Sequence, residues 1–212
     1  MKCLKALAFV PVVLVAWATS AQAQEVQPAD ISPPFYLEGI GGAALTHDFS
    51  DVAPAFAVEF GERLHRQVYA YANLRYINDL MSEQMKSSLE AASEGTGLNL
   101  SGRDRGLTFT IGAKYMFPPK LRFRPYVGGG AGAINLKRYI ANQTFGDLIS
   151  YDGIFNVGES SATFPMGEAI IGFSGAASNR TYLDVSYRHG WAFNTPQSLE
   201  FGQLTVGVGF TF

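Results

Sequence analysis

The stretch Leu204-Thr-Val-Gly-Val-Gly-Phe-Thr-Phe212 sets an apolar side chain at every second position and closes on a phenylalanine. In an extended chain successive side chains point to opposite faces. Leu204, Val206, Val208, Phe210 and Phe212 therefore share one face of a strand, and Thr205, Gly207, Gly209 and Thr211 share the other. Bulky apolar groups on one side and tiny or hydroxylated groups on the other suit a wall between lipid and a cramped polar interior. A soluble edge strand would alternate in a similar way, so the rest of the chain has to decide.

Working back from this segment, eight alternating runs are separated by turn or loop signals: about 35–45, 53–61, 67–78, 106–117, 121–134, 162–175, 181–191 and the terminal strand itself. The cleanest is the fourth, where Leu107, Phe109, Ile111, Ala113, Tyr115 and Phe117 oppose Thr108, Thr110, Gly112, Lys114 and Met116. The connections alternate in length. Those near 62–66, 118–120 and 176–180 are short, and those near 46–52, 80–105, 135–161 and 192–197 are longer. Short turns at one end and long loops at the other mark strands threaded through an outer membrane. An eight-stranded soluble lipid-binding barrel would turn its apolar face inward and its polar face to water. Here the polar face is crowded with glycine and threonine, and the apolar face carries almost no charge. The expected fold is all-β: an eight-stranded antiparallel up-and-down transmembrane β-barrel over residues 35–212.

The other end of the chain agrees. Lys2 and Lys5 precede a 13-residue apolar stretch, Ala6 to Ala18, and the small-x-small site Ala21-Gln22-Ala23 follows. This is the pattern of a secretory signal peptide, and the stretch is shorter than the ~20 residues a membrane-spanning helix needs. The expected organisation is a signal peptide at 1–23, cleaved after Ala23, a periplasmic lead at 24–34, and the barrel. Cys3, the only cysteine, leaves with the signal, which removes disulfides, thiol nucleophiles and thiolate metal sites from consideration. The remaining 14 basic and 18 acidic residues give a formal charge of −4, which does not invite nucleic acid. The expected location is the outer membrane of a Gram-negative type cell, where a monomer is surrounded by outer-membrane lipid and lipopolysaccharide.

The fifth run, Arg124-Pro-Tyr-Val-Gly-Gly-Gly-Ala-Gly-Ala-Ile134, resembles the Pro-Tyr-x-Gly-Gly-Gly-x-Gly strand of small outer-membrane barrels. The likeness extends to Tyr182-Leu-Asp-Val-Ser-Tyr-Arg188 and to the aromatic C-terminus. Together these segments are similar to the opacity-type, outer membrane protein A-like β-barrel family. The resemblance implies that Leu204, Val206, Val208, Phe210 and Phe212 act as an assembly signal for the barrel-assembly machinery. It speaks less to function, because members serve as adhesins, envelope-stabilising proteins, resistance factors and sometimes enzymes.

If the apolar faces meet lipid, the opposite parity gives the interior. Glu38, Glu59, Glu168 and Asp184 would face Arg75, Lys114, Arg124 and Arg188, four acids with four bases, as a structural charge network. A barrel of this size has an interior just wide enough for side chains to fill. Tyr36, Tyr69, Tyr71 and Tyr126 also point inward and narrow any water path. A narrow channel for small solutes is the first alternative function.

A lipid A-modifying, deacylase-like enzyme is the second. Such a site needs a serine whose proton a histidine takes, with a carboxylate orienting the ring. His189-Gly190-Trp191-Ala192 places Trp191 where that family's pattern has its nucleophile, although Glu200 could approach His189 across the last hairpin and Ser198 is nearby. The other histidines, His47 and His65, are too scattered to suggest a metal site, and no cofactor or catalytic residue is expected. Phe35, Tyr76, Phe117, Phe123 and Trp191 read as aromatic girdles. In the loop near 80–105, Met81, Met85 and Leu89 recur at helical spacing. The loop near 135–161 carries Tyr139, Phe145, Tyr151 and Phe155, apolar enough to contact a host or matrix surface. The expected role is non-enzymatic: envelope structure and surface interaction through these two loops.

Overall fold

A computed structural model describes residues 35–46, 52–81, 83–97, 100–118, 123–142, 158–195 and 199–212. The expected signal peptide and lead, together with Phe145, Tyr151 and Phe155, lie outside the described residues. The strands are β1 (Phe35–Thr46), β2 (Val52–His65), β3 (Val68–Ile77), β4 (Leu100–Met116), β5 (Phe123–Asn142), β6 (Gly158–Ala176), β7 (Thr181–Ala192) and β8 (Leu199–Thr211). One helix, α1 (Glu83–Thr96), stands between β3 and β4 among the described residues.

Each strand pairs antiparallel with the next, and β8 returns to pair with β1, closing an eight-stranded up-and-down barrel. At that seam Tyr36 lies opposite Thr211 and Leu45 opposite Gly202. The seam ends in a reciprocal pair: Phe35 N donates to Phe212 O at 3.4 Å, and Phe212 N to Phe35 O at 3.0 Å. No helix among the described residues is long and apolar enough to cross a membrane.

The two faces divide as the alternation requires. Phe56, Ile111 and Phe210 are 60%, 58% and 55% exposed on the outer wall, whereas Tyr126 and Gln203 are fully buried inside. From Leu107 on β4 to Phe117, the residue after the strand, the outward run spans ten residue steps, about 33 Å along the strand at ~3.3 Å per residue. At a tilt of about 40° that is roughly 25 Å along the barrel axis, the height of an outer-membrane apolar band.

Three strands run well past that band. β4 begins at Leu100 rather than near Gly106, β5 continues to Asn142, and β6 begins at Gly158. Residues 100–105 and 135–142, read as loop from the sequence, are paired strand, with Gly102 opposite Ile140 and Arg103 opposite Tyr139. Tyr139 is thus an exposed strand residue and not part of a loop. The physical reason is that a strand standing in water above the membrane needs no apolar outer face. Ser101, Arg103 and Arg105 interrupt the hydrophobic alternation without interrupting the backbone ladder.

The helix expected from the Met81, Met85 and Leu89 spacing starts after Met81, at Glu83, and runs on to Thr96. Met81 and Leu89 are buried with Leu100 and Ile140, and Met85 and Ala92 pack alongside. Helix α1 therefore lies against the extended β4–β5 hairpin on its inward-parity side. Gly102 permits this approach, since a Cβ there would stand 2.7 Å from both Leu89 Cδ1 and Met81 Cε. Asp79 secures the entry: its Oδ1 accepts from Met81 N at 3.0 Å and from Asp104 N at 3.3 Å. Asp79 Oδ2 also pairs with Lys86 Nζ at 3.4 Å.

Inside the barrel, tyrosine rings lie against glycines on neighbouring strands. A Cβ on Gly209 would come within 2.0 Å of the Tyr182 ring, and one on Gly172 within 2.6 Å of the Tyr126 ring. Gly39, on the outer wall, would meet nothing within 4 Å. Gly209→Val is therefore expected to overpack the interior and lower the unfolding free energy by about 1–3 kcal/mol, while Gly39→Ala leaves it within about 0.5 kcal/mol. Urea titration of the micelle-embedded barrel measures both, and equal midpoints for the two variants would contradict the packing described.

Candidate functional site

The inward residues form a filled interior in three zones. Toward the short turns, Tyr36, Tyr69, Tyr71, Tyr126, Tyr182 and Ile170 are buried together, with Met116 against them. Toward the long loops, Ala44, Ala53, Ala55, Ile77, Leu80, Ile134, Met166, Ala192 and Phe201 make an apolar plug, flanked by Leu136, Phe164 and Leu199. Charged and amide groups occupy the space between.

Two carboxylates organise that middle zone. Glu59 accepts from Tyr36 Oη at 2.8 Å, Asn73 Nδ2 at 3.3 Å and Arg188 Nη2 at 2.8 Å, and also from Lys114 Nζ. Glu168 accepts from Tyr71 Oη at 2.8 Å, Arg75 Nη2 at 3.0 Å and Thr110 Oγ1 at 3.0 Å. Arg188 joins the two hubs, its Nη1 standing 3.8 Å from Glu168 Oε1. The partners come from β1, β2, β3, β4, β6 and β7, so the bonds run across the lumen as well as around the wall. Lys114 Nζ is also surrounded by aromatic faces, 5.7, 5.5 and 5.0 Å from the ring centres of Tyr36, Tyr71 and Tyr126.

The charges expected from parity to make the interior network do not all meet as ion pairs. Among the described residues, the interior ion pairs join Glu59 and Glu168 to Arg75, Lys114 and Arg188. Glu38 and Asp184 are buried inside, but tyrosine hydroxyls serve them: Tyr182 Oη donates to Glu38 Oε2 at 3.1 Å and Tyr126 Oη to Asp184 Oδ1 at 2.8 Å. Arg124 is half-buried opposite Ser174, and its buried Nε has no hydrogen-bond partner. Parity fixes which face a side chain takes and says nothing of its height, and a ring of tyrosines offers donors to any carboxylate at its own level. Asn73, Thr110 and Tyr182 were missed as network members. All three carry inward parity, and that was the signal available.

The other sequence candidates lie on the wall. Leu204, Val206, Val208, Phe210 and Phe212 are exposed along the outer face of β8 and the residue after it. Phe35 stacks on Phe60 and Phe212 at 5.9 and 6.3 Å, and Phe117 meets Tyr115 edge-on at 5.2 Å, near the turn end with exposed Phe123. Tyr76 and Trp191 lie toward the loop end. His189 Nε2 is 3.8 Å from Glu200 Oε2, its Nδ1 is 3.4 Å from Tyr187 Oη, and its ring meets Trp191 edge-on at 4.5 Å. The histidine and carboxylate do approach across the last hairpin, with Trp191 directly opposite Glu200. Ser198 lies outside the described residues. Among the described residues, no group of three or more His, Cys, Asp or Glu side chains is placed to hold a metal ion.

Comparison with known proteins adds a family to this geometry. The model of the outer membrane protein β-barrel domain matches residues 11–212. The chain belongs to that family. Solved members of the same fold include Neisserial surface protein A, at a TM-score of 0.59 and 16% identity over 84% of this chain and 97% of that one. The N-terminal β-barrel domain of Pseudomonas aeruginosa OprF follows at 0.52 and 15%, over 84% and 97%. Ail, the attachment invasion locus protein of Yersinia pestis, aligns at 0.50 and 10%, over 84% and 96%. At such identities the likeness is one of fold. A search of curated proteins returns no match. The outer membrane protein β-barrel identity supplies the setting that the exposed apolar wall requires, the outer membrane.

Glu59 is the most connected of the interior carboxylates. Glu59→Leu should lower stability by about 3–5 kcal/mol, because Lys114 and Arg188 then remain buried without their partner. Replacing all three (Glu59→Leu, Lys114→Met, Arg188→Met) should recover most of that loss. Equilibrium unfolding in micelles reads both changes, and a Glu59→Leu barrel as stable as the parent would sink the hub assignment.

Proposed function

We propose that the protein is a non-conducting, non-enzymatic outer-membrane barrel that contributes to envelope structure and holds a rigid external platform for surface contact. The observation that carries this reading is the filled lumen. Tyrosines close the turn end, the two carboxylate hubs tie opposite walls together, and an apolar plug closes the loop end. A solute path would have to break several buried charge-assisted bonds, each stronger than a neutral one. This favours a scaffold over the narrow-channel alternative.

The outward part of the molecule supports the surface role. The extended β4–β5–β6 strands, braced by α1 and by the two-bond Arg138–Asp104 pair at 2.9 and 2.7 Å, form a shaped structure outside the apolar band. Ail, described as an attachment protein, shares this fold. The exposed apolar row ending at Phe212 suits recognition by the barrel-assembly machinery, and the chain works as a monomer. The non-enzymatic reading rests on Trp191, which takes the place next to His189 where a nucleophile would stand.

In a planar bilayer the folded protein is expected to give no conductance steps. Deleting residues 84–98 and 143–157 should leave a folded barrel, shown by its retained gel mobility shift on heating, and should abolish binding to host cells or matrix. Detergent sensitivity of the cells should appear only when the entire barrel is lost. Stepwise conductance by the intact barrel would overturn the scaffold reading, and undiminished binding by the shortened protein would overturn the platform.

A further inference from the structure

The short-turn end of the barrel carries charge mainly of one sign. Its described residues include four arginines, Arg63, Arg66, Arg124 and Arg180. The turn between β4 and β5 adds Lys120 and Arg122 in sequence, both outside the described residues. Two acidic groups accompany them. Glu62 is exposed at an outward position, and the terminal carboxyl of Phe212 lies at the seam, where its O accepts from Phe35 N at 3.4 Å.

Three of the arginines take inward parity, one position beyond the tyrosine layer. Arg63 lies directly opposite Tyr69 and two residues past Gly61, where a Cβ would stand 2.1 Å from the Tyr36 ring. Arg124, opposite Ser174, is two residues from Tyr126. Arg180 is two residues before Tyr182, and its carbonyl continues the β7–β8 ladder by accepting from Thr211 N at 2.8 Å. Two residues are about 6–7 Å along a strand, so the three bases share a level just outside the buried layer of Tyr36, Tyr69, Tyr126 and Tyr182. They come from well-separated parts of the wall, at β2, β5 and the start of β7. An eight-stranded bore is narrow enough for side chains from facing walls to fill it.

This arrangement is a cationic cup with the tyrosine layer as its floor. Arg63 and Arg124 are half-buried, and Arg180 is exposed. Arg63 is itself engaged by a neighbour and still brings its charge to the mouth. The buried Nε of Arg124 has no hydrogen-bond partner, and a buried donor left unpaired is costly. The next inward carboxylates, Glu38 and Asp184, lie deeper and accept from the Tyr182 and Tyr126 hydroxyls.

The face that the arginines take identifies the ligand. Guanidinium forks match phosphate oxygens in geometry as well as charge. Short turns of an outer-membrane barrel lie on the periplasmic side, so a ligand reaches the cup along the barrel axis from the periplasm. Lipid stands against the opposite face of the wall, where Phe117, Phe123 and Phe212 are exposed. A soluble phosphate therefore has the direct approach that a headgroup lacks. We propose that Arg124 and Arg180, with the charge of Arg63 beside them, form a binding cup for the phosphate group of a soluble periplasmic solute. The cup lies at the end of the barrel away from the loops and is independent of the proposed surface function.

The test titrates inorganic phosphate and glycerol 3-phosphate into the folded full-length barrel in zwitterionic micelles, by calorimetry at an ionic strength held constant with chloride. The parent should bind saturably, and Arg124→Gln/Arg180→Gln should bind about tenfold more weakly or worse. Arg124→Lys/Arg180→Lys should be intermediate, since charge remains while the fork is lost. Arg105→Gln, at the loop end, should bind as the parent does. Folding of each variant is checked by its mobility shift on heating. Should the double glutamine variant fail to fold, Arg180→Gln at its exposed position carries the decision, with weaker binding expected. Unchanged binding by the folded glutamine variant overturns the proposal, as does an equal loss in Arg105→Gln. A second arm places the barrel in phosphatidylcholine nanodiscs with a trace of phosphatidylglycerol. Retention of that lipid through Arg124 and Arg180, with no binding of the soluble phosphates, would assign the cup to a headgroup and overturn the soluble source.

Discussion

Every backbone amide within the hydrocarbon must find a partner in the chain, and this constraint shapes the rest of the molecule. It excludes an open sheet, because an edge strand would leave a row of unpaired N–H and C=O groups in lipid. The β1–β8 seam is therefore the decisive contact, and its bonds extend to the last residue of the sequence. Closure with eight strands in turn fixes the bore at a width that side chains fill. The glycines follow from that narrowness: a ring the size of Tyr182 fits only where the facing wall lacks a Cβ, as at Gly209.

With lipid outside, the usual rule of apolar groups inside and polar groups outside cannot tell one face of a strand from the other. The strand acquires a face only if its interior is made polar, and a one-residue slip would then turn a charge into lipid. Glu59, Arg75, Lys114, Glu168 and Arg188 do this for β2, β3, β4, β6 and β7. β8 does it more economically with Gln203, Thr205 and glycine. Buried ion pairs add little net stability compared with well-packed apolar groups. Their value here lies in fixing register and orientation, and Arg188, bonded to Glu59, ties β7 to β2, with which it shares no backbone ladder.

The alternation that fixes the face was legible in the sequence, and with it the strand count, the inward tyrosines and the outward row on β8. Three features were not. Which acid meets which base depends on height within a tilted barrel, so Glu38 and Asp184 meet tyrosines while Arg124 stays outside the network. Strand ends beyond the membrane carry no hydrophobic signature, which is why Arg103, Arg105 and Tyr139 read as loop. The apolar plug escaped notice because its members, such as Ile77, Met166 and Phe201, come from the ends of different strands and meet only on closure.

The two ends of the barrel are built differently, and that difference bears on where change can be accommodated. At the turn end the tyrosine layer, the short connections and the closing seam share the same few residues. Tyr36, for example, bonds Glu59 and packs on both Tyr69 and Tyr182, so little there can vary independently. At the loop end the apolar cluster lies inside the bore below the extended hairpin, and α1 rests on a separate cluster of Met81, Leu89, Leu100 and Ile140. The external structure thus has a small core of its own, and its outward faces can change sequence without disturbing either hub. The packing inside the bore and the packing beneath α1 are thus two separate cores, and only the first is tied to the residues that let the chain cross the membrane.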